Sequence, residues 1–207
     1  MADEAKSEAR PLKLGAVIMA AGGSSRMGAV KQLLEVGGKP LVARAVDAAL
    51  GAHAGPVVVV LGAYAELVQC ALRDRAILTV QNADWETGLA SSIRAGMAAI
   101  VGAEPLLDAV LLSPCDQPAL SSEVILQLAA LHRATGRISS AHYRGRNGAP
   151  AIFGRAHFDA LGSLTGDAGA RKLLNLDSED VATIDLPMLG IDLDTPADYA
   201  DWIGRLD

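Results

Sequence analysis

Aromatic side chains are scarce in this chain: two Phe, three Tyr and two Trp make up 3% of 207 residues. Hydrophobic residues still reach 51%, supplied mainly by Ala, Val and Leu, which suit the helix-on-sheet layers of an α/β protein. Cysteine is nearly absent. Cys70 and Cys115 make no disulfide framework, which predicts reduced thiols and a cytoplasmic setting. Basic residues are not in excess, with 18 Lys and Arg against 24 Asp and Glu and a net charge of −6. That balance provides no broad basic face to release counterions from duplex nucleic acid, yet it allows a few well-placed cations on one nucleotide. No apolar run is long enough to span a bilayer, LGAVIMAAG being far too short. The opening stretch MADEAKSEARPLKL lacks the apolar centre of a signal peptide. Internal repeats, linkers and low-complexity tracts are also missing. The expectation is a flexible tail over 1–12 and one domain over 13–207.

What is present is an alternation of strand-like and helix-like segments. A continuous apolar run at 14–20 reads as a strand buried on both faces, 56–62 and 108–114 as further buried core strands, and 76–82 as another strand. Helical spacing appears over 40–52, 65–73, 88–103 and 121–136, the last opening on a serine cap and closing on Gly136. Strands over 137–143 and 149–153 are joined by the turn RGRNG. Helices around 154–162 and 167–174 precede a strand over 181–186, and Pro196 can start a final helix. This order predicts a three-layer α/β/α sandwich with a doubly wound, mostly parallel sheet. Ligands in such sheets bind beyond the carboxyl ends of the strands, so the loops at 21–31, 81–88, 114–120 and 145–150 are expected to converge there.

The first of these loops, IMAAGGSSRMGAVKQLL, carries two glycines, two serines, Arg26 and Lys31 after a buried strand. The dinucleotide fingerprint GxGxxG fails on spacing, and the P-loop fails because Ala29 and Val30 stand where its Lys and Ser or Thr belong. The remaining pattern is AAGxSxRMGxxK, over Ala20, Ala21, Gly22, Ser24, Arg26, Met27, Gly28 and Lys31. Glycines let backbone N–H groups approach phosphate oxygens, and the two cations offset charge on a triphosphate and on leaving pyrophosphate. An ordinary βα turn with solvated cations is the alternative. Phosphoryl transfer also calls for a divalent ion held by one or two carboxylates. LLSPCDQPAL puts Asp116 just past a strand, and GIDLDTPADY puts Asp192 and Asp194 just before a helix. Taken singly, Asp116 can be a turn residue and Asp194 a helix cap.

Six blocks in order carry a family resemblance: AAGGSSRMGAVK, NADWETGLASSIRAG, CDQP, GAPAIF, LTGDAGARKLL and DLDTPADY. From about residue 14 onward the chain resembles the molybdenum cofactor cytidylyltransferases (MocA-like) within the MobA-like nucleotidyltransferases, whose fold is that of the nucleotide-diphospho-sugar transferases. The resemblance implies that CTP and molybdopterin give the cytosine dinucleotide cofactor and pyrophosphate with Mg²⁺. It implies catalytic roles for Lys31, Arg26 and Asp116, and a nucleotide site of Ala20, Ala21, Gly22, Gly23, Ser24, Arg26, Lys31, Gln81 and Asn82. Asp116 and Asp194 would hold the metal, with Asp192 beside them. Ser91, Ser92, Asp167 and Arg171 fall to the second substrate, although Asp167 and Arg171, four apart, can equally pair with each other on one helical face. Ala21 in AAG, where guanylyltransferases carry AGG, implies that a methyl crowds a purine. The aspartates of DLDTP point the same way. Trp85 is expected to pack or to border the pterin, and Cys115 to be a small buried residue without an activating histidine. His53, His132, His142 and His157 have no ligand spacing. A molybdenum hydroxylase or its maturation factor is the implied recipient. The competing readings are a guanylyltransferase on the same cofactor, a cytidylyltransferase on another phosphate, and a cofactor-delivering maturation factor.

Overall fold

The computed structural model describes residues 10–25, 27–167, 169–175 and 179–205. Seven strands form one sheet: β1 (Leu14–Ala20), β4 (Val57–Leu61), β5 (Leu78–Gln81), β6 (Ala109–Pro114), β7 (Ile138–Tyr143), β8 (Arg146–Gly154) and β9 (Val181–Asp185), in the order β5-β4-β1-β6-β8-β7-β9. A separate hairpin pairs β2 (Glu35–Val36) with β3 (Lys39–Pro40). The ladders β1–β4, β1–β6, β4–β5 and β7–β9 are parallel, and β8 alone runs against its neighbours β6 and β7. The mostly parallel doubly wound sheet expected from the alternation is therefore present.

The central strand explains the three layers. Successive side chains of β1 alternate across the pleat. Ala16 and Ile18 enter one fully buried cluster, which also takes α1 (Leu41–Gly51), α2 (Ala65–Ala71) and α4 (Ser122–Thr135). Val17 faces the other way, into a cluster with Ile93, Met97 and Ile100 of α3 (Leu89–Ala103) and Leu161 of α5 (Phe158–Gly162). Small residues are what let these layers close. A Cβ on Gly96 would lie 2.4 Å from Val17 Cγ1, so α3 can ride this close to β1 only with glycine there. Among the described residues, no helix is long and apolar enough to cross a membrane.

The structure amends four local expectations. The turn after β7 is only Arg144–Gly145, both in left-handed backbone (φ 50° and 70°), a tight hairpin that lets β8 begin at Arg146. The stretch 145–150 is thus mostly strand. The segment expected as a helix over 154–162 begins as a 3₁₀ turn, and that over 167–174 is helical only as α6 (Arg171–Leu174). The hairpin β2–β3 and a 3₁₀ turn over Lys31–Leu33 have no periodicity to reveal them. The last helix, α7 (Pro196–Ile203), starts at Pro196 under a complete capping box between Thr195 and Asp198.

Gly96→Ala separates two opposed effects. Helix propensity alone favours Ala by about 0.5–1 kcal/mol, whereas overpacking a core costs about 1–3 kcal/mol. Because the contact is with a buried β1 side chain, the variant is expected to unfold at lower urea concentration than the parent.

Candidate functional site

The site is assembled at the carboxyl ends of β1, β4 and β6. After Ala20 the chain turns away from the sheet, and its path is set by one buried glutamine. Gln32, 2% exposed, donates from Nε2 to the Ala20 carbonyl (3.0 Å) and the Gly22 carbonyl (2.7 Å). Its Oε1 accepts from Ser24 Oγ (3.1 Å), and Ser24 Oγ in turn accepts from the Lys31 amide (3.0 Å). Ser24 sits in left-handed backbone at φ 52°, so its hydroxyl is committed to shaping the loop. Ala21 is 5% exposed, and its methyl lies toward Gly62, where an added Cβ would meet the Ala21 oxygen at 2.3 Å. Ala21 also lines the cavity beside the loop. Arg26 lies outside the described residues.

Lys31 reaches from this loop to two carboxylates. Its Nζ donates to Asp116 Oδ2 at 2.5 Å and to Asp194 Oδ1 at 2.7 Å. Burial alone would lower the Lys31 pKa, but Asp116 and Asp194 outweigh it and hold the ammonium charge well above its ordinary range. Asp116 stands two residues beyond β6, and its carbonyl accepts from the Leu193 amide (3.3 Å), tying the 192–194 loop to the end of β6. Thr195, not Asp194, caps α7, which leaves the Asp194 carboxylate to the site. Asp192 is pushed up to about 6 by burial and by the nearby charges of Asp116 and Asp194. Among the described residues, no three His, Cys, Asp or Glu side chains converge as a metal cluster. Two carboxylates meeting at one cation position fit a hard divalent ion that takes its other ligands from phosphate and water. Asp192 stands beside that pair as a charge.

Two cavities meet at Asp116. One, of about 360 Å³, is lined by Ala20, Ala21, Gly22, Lys31, Trp85 and Ser92 among others. Trp85 closes on the glycine loop so tightly that a Cβ on Gly23 would lie 2.9 Å from its ring. The tryptophan therefore borders this cavity and not the second one. The second, of about 230 Å³, has an apolar floor that includes Leu112, Phe153 and Leu174, with Arg146 and Arg171 also in its wall. It reaches Asp116, Asp192 and Asp194.

Other expected residues are placed differently. Gln81 is exposed and lines a separate groove with Gly62 and Tyr64. Asn82 is buried, and its amide donates to Ser91 Oγ (2.8 Å) and Ser92 Oγ (3.1 Å) while its oxygen caps the Asp84 amide (3.0 Å). Ser91 in turn donates to the Gly88 and Asp84 carbonyls. Asn82 and Ser91 thus build the start of α3, and only Ser92 of this group lines the cavity beside the glycine loop. Asp167 precedes α6, so it shares no helical face with Arg171; it packs instead against Gly88, held at φ 111°. Cys115 is buried, and burial first, then Asp116, raises its thiol well above the ordinary range, which leaves it inert. Gln32 was not singled out by the sequence, where a glutamine beside a lysine reads as surface.

Residues 16–182 match the MobA-like NTP transferase domain. The chain belongs to that family. Its nucleotidyltransferase fold recurs in solved structures. Rv0371c from Mycobacterium tuberculosis H37Rv superposes with a TM-score of 0.77 at 27% identity, over 94% of this chain and 99% of that one. The same protein in complex with manganese gives 0.73 at 25% identity, over 93% and 98%. Among curated proteins, nicotine blue oxidoreductase of Paenarthrobacter nicotinovorans is 37% identical over 167 residues, 76% of this transferase and 79% of that protein.

Gln32→Met keeps the bulk of the side chain but leaves the Ala20 and Gly22 carbonyls without their donor. Stranding buried acceptors costs about 1–3 kcal/mol. The variant is expected to melt earlier and to bind nucleotide triphosphate about tenfold more weakly, a loss of about 1.4 kcal/mol, by calorimetry. Unchanged affinity would mean that the loop holds its shape without this clamp.

Proposed function

We propose that this transferase moves CMP from CTP to the terminal phosphate of molybdopterin or its metal-bearing cofactor, releasing pyrophosphate. One observation carries the reading: Lys31, Asp116 and Asp194 stand where the glycine-loop cavity and the apolar-floored cavity meet. A two-substrate phosphoryl transfer needs its charged groups at such a junction, in line between the attacking and leaving oxygens.

The family resemblance and the arrangement of these residues together support the roles. The loop backbone at Ala21, Gly22 and Gly23 would bind the nucleotide, with Arg26 and Lys31 on the triphosphate. Asp116 and Asp194 would hold Mg²⁺, which neutralises charge gathering on the phosphate oxygens. The acceptor phosphate is already ionised and needs no general base. Arg171, and with it Arg146, would attract the acceptor's phosphate, and the apolar floor would take the flat ring system. Trp85 and Ser92 would border the nucleotide. Asp192 would tune the charge of the metal-holding pair. The transferase domain would run over 13–207 in a cytoplasmic protein whose product passes to a molybdenum hydroxylase or its maturation factor. Identity of the base rests on the AAG and DLDTP patterns.

A second reading follows from the relative named nicotine blue oxidoreductase. A reductase could lay the pyrophosphate of an electron-carrying dinucleotide on the same loop. It would have no use for a carboxylate pair converging on a lysine, so transfer is favoured.

The test is pyrophosphate release from CTP, GTP, ATP and UTP with molybdopterin and Mg²⁺, with Asp116→Ala as the control. Turnover is expected with CTP and a fall of at least about 10²-fold in the variant, the scale of removing an electrostatic contact to the transition state. Turnover with GTP would reassign the base. Tight cofactor binding without turnover would favour a delivery factor, and reduced-nicotinamide oxidation a reductase.

A further inference from the structure

Lys31 is asked to do two things that exclude each other. Its ammonium sits between Asp116 and Asp194, at 2.5 and 2.7 Å, with all three side chains largely shielded (18%, 18% and 32% exposed). In this position it holds the place of the divalent ion that the same carboxylates would bind. Yet among the described residues lining the glycine-loop cavity, Lys31 is the basic one, and a polyphosphate lying there would draw it the other way. The backbone of Lys31 is pinned by Ser24 Oγ and by the 3₁₀ turn it begins, so only its flexible four-carbon stem has to move.

We infer that Lys31 is a built-in counter-ion that masks the Asp116–Asp194 pair until a polyphosphate draws it away, coupling nucleotide and metal binding through one side chain. The inference rests on the transferase reading of the site. Drawing Lys31 away removes a charge that both Asp116 and Asp194 face at hydrogen-bond distance, which is unfavourable unless another cation arrives. Lysine departure and metal arrival are therefore linked, and by reciprocity each ligand strengthens the other by the same factor. An empty protein would hold metal weakly, and metal would be taken up where it can act on a bound triphosphate.

The experiment is Mn²⁺ titration of the metal-free protein without nucleotide, following the electron paramagnetic resonance signal of free Mn²⁺. Lys31→Met is expected to bind Mn²⁺ at least about tenfold more tightly than the parent, within the usual span of site coupling. Arg144→Gln removes a cation that acts on Asp192, whereas the Lys31 ammonium bonds Asp116 and Asp194. It should shift affinity by less than about threefold if the effect belongs to the contact and not to net charge. Equal affinity in the parent and Lys31→Met, or an equal gain in Arg144→Gln, would overturn the inference. A converse variant guards against misfolding of Lys31→Met. Asp194→Asn loosens Lys31, so inorganic tripolyphosphate in EDTA should bind it several-fold more tightly than it binds the parent; no gain would also overturn the inference. Neither arm uses CTP or an acceptor. Failure of CTP turnover would thus reject the transferase reading, while these titrations judge the counter-ion by itself.

Discussion

A single ammonium group draws the whole site together. Lys31, Asp116 and Asp194 come from segments far apart in the chain, and each is delivered by a different element: the loop after β1, the end of β6 and the approach to α7. Burial first, and then the like charges of Asp116 and Asp194, push the Asp192 pKa up to about 6. Lys31 offsets the charges of Asp116 and Asp194, and Arg144 acts with it on Asp192. The backbone bond from Leu193 to the Asp116 carbonyl then fixes how near the two acidic segments stand.

The sheet supplies the rigidity that this arrangement requires. β1 is flanked by β4 and β6 in parallel register, so three carboxyl ends open on one side and their loops share a crevice. Glycines at close approaches keep that crevice narrow. Gly62 lets the loop after β4 lie against Ala21, and Gly23 lets the Trp85 ring lie against the glycine loop. Gln32 closes the arrangement from beneath by holding the Ala20 and Gly22 carbonyls. The reversed strand β8 contributes differently, because its antiparallel course beside β6 brings Arg146 to Ala149 along the wall of the second cavity.

Much of this was legible in the residues, for identifiable reasons. β1 and β4 are uninterrupted apolar runs and β6 opens on one over 109–112, the signature of strands buried on both faces. Ser121 and Gly136 bracket α4 because each does at the helix end what its chemistry favours: Ser121 Oγ accepts the Val124 amide, and Gly136 takes φ 69°. Asp116 and Asp194 follow from strand-end and helix-start positions within recognisable blocks. Less legible were residues whose polar groups turn inward. Asn82 and Ser91 looked like ligand contacts but spend their hydrogen bonds on one another and on nearby backbone. Gln32 carried no signal in the sequence and proved to be the clamp. Asp167 and Arg171 were spaced for one helix, yet the helix starts too late to hold both. Pattern reports which residue types stand at a turn; it does not report which way an amide faces.

In the proposed reaction the two cavities sharing Asp116 serve one transfer, with the nucleotide's α-phosphorus passing to a second molecule. The most direct measurement follows the label from [α-³²P]CTP after incubation with molybdopterin and Mg²⁺. The account predicts radioactivity in a dinucleotide containing the acceptor, with unlabelled pyrophosphate released. Label found only in free CMP or retained in CTP would contradict it.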